Sequence, residues 1–239
     1  MATEKIHTRI RQDQIAQAVL QLISRQGLKG LSVAGVAAEV GLVPSALYRH
    51  FKGKEAMVDA ALEVIRRKLL GNVGAVRRQT GDALEQLRLL LERHLEMVRE
   101  NQAIPRIIFS EEVYAGYPDR KKKVYHLIGT FLARVEAIIR AGQKKGEIRG
   151  DQAPKIVAVL FLGLFQPAAV LSYLSDGRYD VVRHIRQVWP LFQEAIRVKP
   201  PRSTTACPLP ANLRPGTNLP VNLGEKESAM SRKSRSGRT

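Results

Sequence analysis

Read for the spacing of its apolar positions, the chain is helical from near its start to about residue 197. Ile15, Val19, Leu22 and Ile23 recur three and four residues apart, the repeat of one helical face, and predict a first helix from about Arg9 to Gln26, stopped by Gly27. Val33, Val36, Ala37 and Val40 mark a short second helix, and Leu47 with Phe51, four apart, anchors a third from Pro44 to Phe51. Met57, Val58, Ala61, Leu62, Ile65 and Leu69 carry a longer helix from Lys54, which Gly71 and Gly74 are expected to interrupt. Leu84, Leu87, Leu91, Leu95 and Val98 form the next stripe, ended or kinked before Pro105, and a shorter helical piece from Arg106 to Tyr114 follows.

The most regular stripe comes after Tyr117-Pro118-Asp119: Val124, Leu127, Ile128, Phe131, Leu132, Val135, Ile138 and Ile139, closed by a loop around Gly146 and Gly150. Residues 156–175 contain no charged side chain and are nearly long enough to span a bilayer. Gln166 and Pro167 in mid-stretch, and amphipathic neighbours, favour a helix buried partly in its own domain and partly against a second subunit. A last amphipathic helix carries Val181, Val182, Ile185, Val188, Trp189, Phe192 and Ile196. No stretch alternates with the period of a strand. The predicted fold is all-α, and its last two helices, 154–175 and 179–197, are more apolar than one subunit can hide, which predicts a dimeric four-helix bundle.

Local chemistry sharpens the first helices. Ser32 stands where its hydroxyl can accept a hydrogen bond from the opening turn of the second helix, and Gly41 stands where the turn into the third needs a positive φ. Pro44 suits a first helical turn, where its missing N–H costs nothing. The result is a helix-turn-helix. On these residues, and on Leu47-Tyr48-Arg49-His50-Phe51 followed by Lys52-Gly53-Lys54-Glu55-Ala56, the chain resembles TetR-type (TetR/AcrR-like) transcriptional regulators. It departs from the usual pattern at Val43, where Ser or Thr is a common cap, and at Ala46, where a hydroxyl is often found.

The resemblance implies an N-terminal three-helix DNA-binding domain, here residues 1–54, and a C-terminal helical ligand-binding and dimerisation domain, residues 55–198. Residues 199–239 shift to Pro, Ser, Asn and basic residues, holding six of the chain's twelve prolines, and are expected to be a disordered basic tail.

Charge agrees with a polyanionic partner. The formal charge is +17 and the isoelectric point near 10.4. Eight cationic side chains oppose three anionic ones in residues 1–54, and eight oppose two in residues 198–239. If the third helix enters the major groove, Ser45, Ala46 and Arg49 face base edges. Arg49 is the strongest reader, since a guanidinium can grip guanine through two hydrogen bonds. Ser32, Tyr48, His50 and Lys54 are expected to hold phosphates and set register rather than sequence, and Pro44 and Lys52 complete the candidate DNA surface.

Nothing points to catalysis: there is no Gly-x-Ser-x-Gly elbow, no phosphate-cradling Gly-rich loop and no His-Glu-x-x-His, and neither a cofactor nor a metal site is expected. The single Cys207 and the lack of a charged-then-apolar leader favour a reducing cytoplasm. A small apolar inducer is what the resemblance implies, and candidates to line its pocket are His94, Phe109, Glu112, Tyr125, Phe131, Phe165 and Gln166, with His126 beside them. The expected function is a homodimeric regulator, more often a repressor, released from an inverted-repeat operator in double-stranded DNA by a lipophilic ligand. The competing reading is a constitutive architectural or replication-linked DNA-binding protein without effector, motivated by the basic tail. A membrane protein is the third and least favoured.

Overall fold

The helix-turn-helix forms as its caps and turn dictate. The computed structural model describes residues 2–108 and 110–198, without the side chains of residues 2–7, 9 and 112, so the expected tail at 199–239 lies outside the described residues. Helix α1 (Ala2–Gln26) extends the predicted first helix back to Ala2. Ile10, within the added turns, is half exposed and so adds no member to the buried stripe. In α2 (Val33–Glu39), the Ser32 hydroxyl accepts from the Gly35 amide at 3.0 Å, and Val36 and Ala37 are buried. Gly41 takes φ +66°, a conformation costly for a residue with a Cβ, and turns the chain into α3 (Pro44–Leu47).

Regular α-helix ends at Leu47 instead of running to Phe51. From there the bonding tightens to three-residue spans, Arg49 N to Ala46 O at 3.3 Å and His50 N to Leu47 O at 2.9 Å, before Phe51 N returns to Leu47 O at 2.9 Å. Val43 offers no side-chain acceptor at the other end, so this helix is held by the burial of Leu47 and Phe51 rather than by its caps.

Helix α4 (Lys54–Gln79) runs unbroken through Gly71 and Gly74, correcting the expected interruption. Each glycine costs about 1 kcal/mol relative to alanine, but Leu69, Leu70, Val73 and Val76 are all buried around them. Helix α5 (Ala83–Glu100) starts at Asp82, whose carboxylate accepts from Glu85 N at 2.6 Å. Its buried face is Ala83, Leu87, Leu90, Leu91, His94 and Met97, which leaves Leu84 and Leu95 at the edge of the predicted stripe.

The single piece expected from Arg106 to Tyr114 is two short helices, α6 (Ala103–Ile108) and α7 (Glu111–Tyr114). Pro105 falls among the first residues of α6, whose amides have no helical partner. The Tyr114 hydroxyl donates to Ile108 O at 2.8 Å and ties α7 back to the end of α6. Helix α8 (Pro118–Lys145) matches its stripe. The apolar run 154–175 divides into α9 (Pro154–Gly163) and α10 (Gln166–Leu174). Pro167 has no amide to close a helical bond onto Gly163, and the ladder breaks there. Helix α11 (Val181–Ile196) completes the chain, capped by the Asp180 carboxylate. Among the described residues there is no strand, only an isolated antiparallel bridge between Ile148 and Arg197.

Helix α4 is the hub, packed on α1, α5 and α8, while α9 lies along α8, α11 on α5, and α10 on both α6 and α11. One buried apolar cluster runs from Ile15 through Met57, Leu90 and Phe131 to Ile196, crossing the boundary expected at residues 54 and 55 without a gap. Gly142 lets α8 approach α5 closely: a Cβ there would lie 2.6 Å from Ala83 Cβ and 2.9 Å from Ile148 Cδ1.

Candidate nucleic-acid interface and interior site

The third helix turns one side inward and leaves the other to solvent. Leu47 and Phe51 are buried, whereas Pro44, Ser45, Tyr48, Arg49 and Lys52 are exposed together on one surface. Ala46 is half-buried among them. His50 lies deeper, with Nδ1 enclosed and without a partner, so its ring faces the core with one edge. Lys54 is also set back: its ammonium donates to Leu28 O at 3.1 Å, and the hydroxyl of the exposed Ser32 already serves the cap. The nine candidate residues thus divide into an outer group that a groove can meet and an inner group that fixes the fold beneath it.

The interior candidates are scattered more widely. His94 is buried with Nδ1 unpartnered, its ring against Phe165 at a centroid distance of 3.7 Å and Phe131 at 6.2 Å. Burial pushes this imidazole down to about 3, so it is neutral throughout the physiological range. Gln166, next along from Phe165, is partly buried. Tyr125, in contrast, is 82% exposed and His126 is exposed, so neither lines the interior. They follow Val124 on α8 by about 100° and 200°, which carries them off the buried stripe. Phe109 and the Glu112 side chain lie outside the described residues.

Two further groups had no signal in the motifs. His184 Nε2 lies 3.0 Å from Leu164 O and its Nδ1 lies 2.9 Å from the Tyr179 hydroxyl. The break between α9 and α10 is therefore held from α5 by the ring of His94 on Phe165 and from α11 by His184 on Leu164. Arg120, in the first turn of α8, is almost wholly buried. It donates to Asp59 at 2.9 Å, to the Glu55 carboxylate at 3.1 Å, to Val113 O at 2.9 Å and to Glu55 O at 3.3 Å, with Tyr117 packed on the guanidinium at 4.3 Å. Burial opposes its charge, but Asp59 and then Glu55 outweigh that and raise its pKa. Arg120 stands four residues before Val124 and seven before Leu127, a charged residue on an apolar stripe, which was the available clue.

An apolar face remains uncovered on the single chain. Ile156, Val159 and Leu160 of α9 and Leu171, Tyr173 and Leu174 of α10 are exposed, as is Leu191 of α11. The segment Pro154–Leu174 is long and apolar enough to cross a membrane, yet only 28% of an 18-residue stretch within it is buried in the chain. What is buried is one edge, Val157, Ala158, Phe161, Phe165 and Ala168, packed into the core. Among the described residues no cluster of His, Cys, Asp and Glu could hold a metal ion.

Comparison with known proteins agrees with this layout. The family profile described as bacterial regulatory proteins, tetR family, matches residues 15–61, and that of the tetracyclin repressor-like C-terminal domain matches residues 80–189. The nucleoid occlusion factor SlmA of Vibrio vulnificus is 26% identical over 192 residues, covering 78% of this chain and 96% of SlmA. Among solved structures, the transcriptional regulator FadR from Bacillus subtilis, in complex with stearoyl-CoA, superposes with a TM-score of 0.63 at 18% identity, over 77% of this chain and 98% of FadR. The ketosteroid transcriptional regulator KstR2 of Mycobacterium tuberculosis gives 0.60 at 20% identity, over 79% and 96%. At these identities the solved structures speak for the fold.

Proposed function

Because the chain belongs to the TetR family of DNA-binding transcriptional regulators, we propose that it acts in the cytoplasm as a homodimeric repressor whose two heads grip an inverted-repeat operator. The observation that carries this reading is the outer surface of α3 and the turn that follows it, where Ser45, Tyr48, Arg49 and Lys52 stand exposed over a buried Leu47 and Phe51. In this reading residues 1–54 are the head and residues 55–198 the body, with Arg49 reading a base edge and Lys52, Tyr48 and Ser32 meeting phosphates. The exposed apolar face of α9 and α10 pairs with its copy in a second subunit, an isologous contact that removes those side chains from water.

Release is by a small lipophilic ligand that reaches the neutral, unpartnered His94 beside Phe131 and Phe165. FadR, in complex with stearoyl-CoA, and the ketosteroid transcriptional regulator KstR2 lend support to an apolar effector of lipid or steroid type. The constitutive alternative also has an observation behind it. The relative SlmA is a nucleoid occlusion factor, and the His94–Phe165 stack already fills the interior with side chains.

Selection of bound duplexes from random DNA at near-physiological salt, repeated with a panel of fatty acyl and steroid compounds, separates the two. An inverted repeat released by one class supports the regulator. Binding that no compound changes moves the assignment to the constitutive reading.

A further inference from the structure

The chain passes from head to body along α4, with α1 packed on α6 beside it, so the direction in which α4 leaves the body bears on where the head points. The N-terminal end of α4 packs on α8 beside an opening to solvent. An open cleft lies there, lined by Leu28, Lys29, Lys54, Glu55, Val58 and Arg120. What bridges the two helices beside this cleft is Arg120. Its Nε holds Asp59, one terminal nitrogen holds both the Glu55 carboxylate and Val113 O, and the other reaches the Glu55 carbonyl. These partners occupy the first two turns of α4 and the end of α7, and Glu55 directly follows Lys54 at the foot of the head.

From this geometry we infer that Arg120 is a positioning residue for DNA recognition: its guanidinium clasps the first turns of α4 and fixes the head-to-body angle, and with it the half-site spacing that the dimer accepts. A planar fork with five donors suits the task, because it constrains direction as well as distance, and an ammonium in its place would give one centre instead of two edges. Asp59 and Glu55 remain nearly half exposed, so the clasp is open to water on the carboxylate side and buried on the arginine side. That asymmetry makes the arginine's pose fixed by the body and the carboxylates the movable half. Spacing is a sensitive readout. One added base pair rotates a half-site by about 34° and moves it about 3.4 Å, so a rigid pair of heads discriminates sharply among spacings and a loosened pair does not.

The inference rests on the two-headed dimer proposed above, and the test separates the two. Binding is measured for duplexes carrying identical half-sites at the selected spacing and at one and two base pairs more or less. The wild type should prefer its best spacing by at least about tenfold, a difference of about 1.4 kcal/mol. Arg120→Met and Asp59→Asn should each flatten that preference to within about threefold, a ratio well inside one decade, while base preference within the half-site is unchanged; Arg120→Lys should recover part of it. If Arg120→Met does not fold, Asp59→Asn, which alters a half-exposed group without changing its shape, carries the comparison. A wild-type optimum that persists in both variants, even with lowered melting temperature, overturns the positioning role and leaves the dimer reading standing. A wild type indifferent to spacing overturns both.

Discussion

Replacing His94 by leucine exchanges a buried imidazole with an unpartnered Nδ1 for an apolar side chain of similar volume, and the consequence depends on pH in a calculable way. In the folded chain burial holds the imidazole at about 3 against an ordinary value of 6.5. Its folded value is depressed, so the unfolded chain takes up a proton below pH 6.5 that the folded chain refuses until about pH 3. Stability linked to this group is fully present above 6.5 and is lost as pH falls through that window. At about 1.4 kcal/mol per pH unit, the loss between pH 7.5 and pH 5.0 is about 2 kcal/mol for the wild type. The leucine variant lacks it. At pH 7.5 the variant should also equal or exceed the wild type by up to about 1 kcal/mol, since an unpartnered polar atom has been removed. Urea unfolding followed by the emission of Trp189, the single tryptophan, at fixed protein concentration and at pH 7.5, 6.0 and 5.0 measures both terms. Parallel pH dependences for the two proteins would refute the reasoning, because they would mean that His94 finds water or a partner when protonated.

Other consequences can be checked separately. Arg49→Ala should cost about 1–3 kcal/mol of discrimination at one base pair of the operator, whereas Lys52→Ala should weaken all sequences alike and lower the salt slope by about one phosphate; titrations against operator variants at several salt concentrations decide this. Ser32→Ala removes the acceptor for Gly35 N and should destabilise the protein by about 1 kcal/mol, seen as a melting temperature lower by about 2–4 °C. Leu160→Glu puts a charge on the exposed α9 face and should shift the sedimenting species from dimer to monomer; an unchanged dimer would place the interface elsewhere.

The sequence by itself determined the helices whose apolar spacing is also their buried face. α8 follows its stripe through Val124, Leu127, Phe131 and Val135, and the helix-turn-helix follows from Ser32, Gly41 and Pro44, because caps and turns are decided within a few residues. The motif that marks the family lies in that locally determined part. The candidate DNA surface was legible there too, since a short helix with two inward residues leaves its other positions outside. Tertiary structure decided what depends on distant partners. Gly71 and Gly74 stay helical because neighbouring side chains are buried by other elements, a gain that no local propensity contains. Tyr125 is exposed and His94 buried although both sit in amphipathic helices, since a small rotation about the helix axis, set by packing, chooses between interior and solvent. Arg120 reads in sequence as the first of four basic residues. Only the approach of α4, about 60 residues earlier in the chain, turns it into a buried clasp, because long-range ion pairs are made by the fold and leave little local trace.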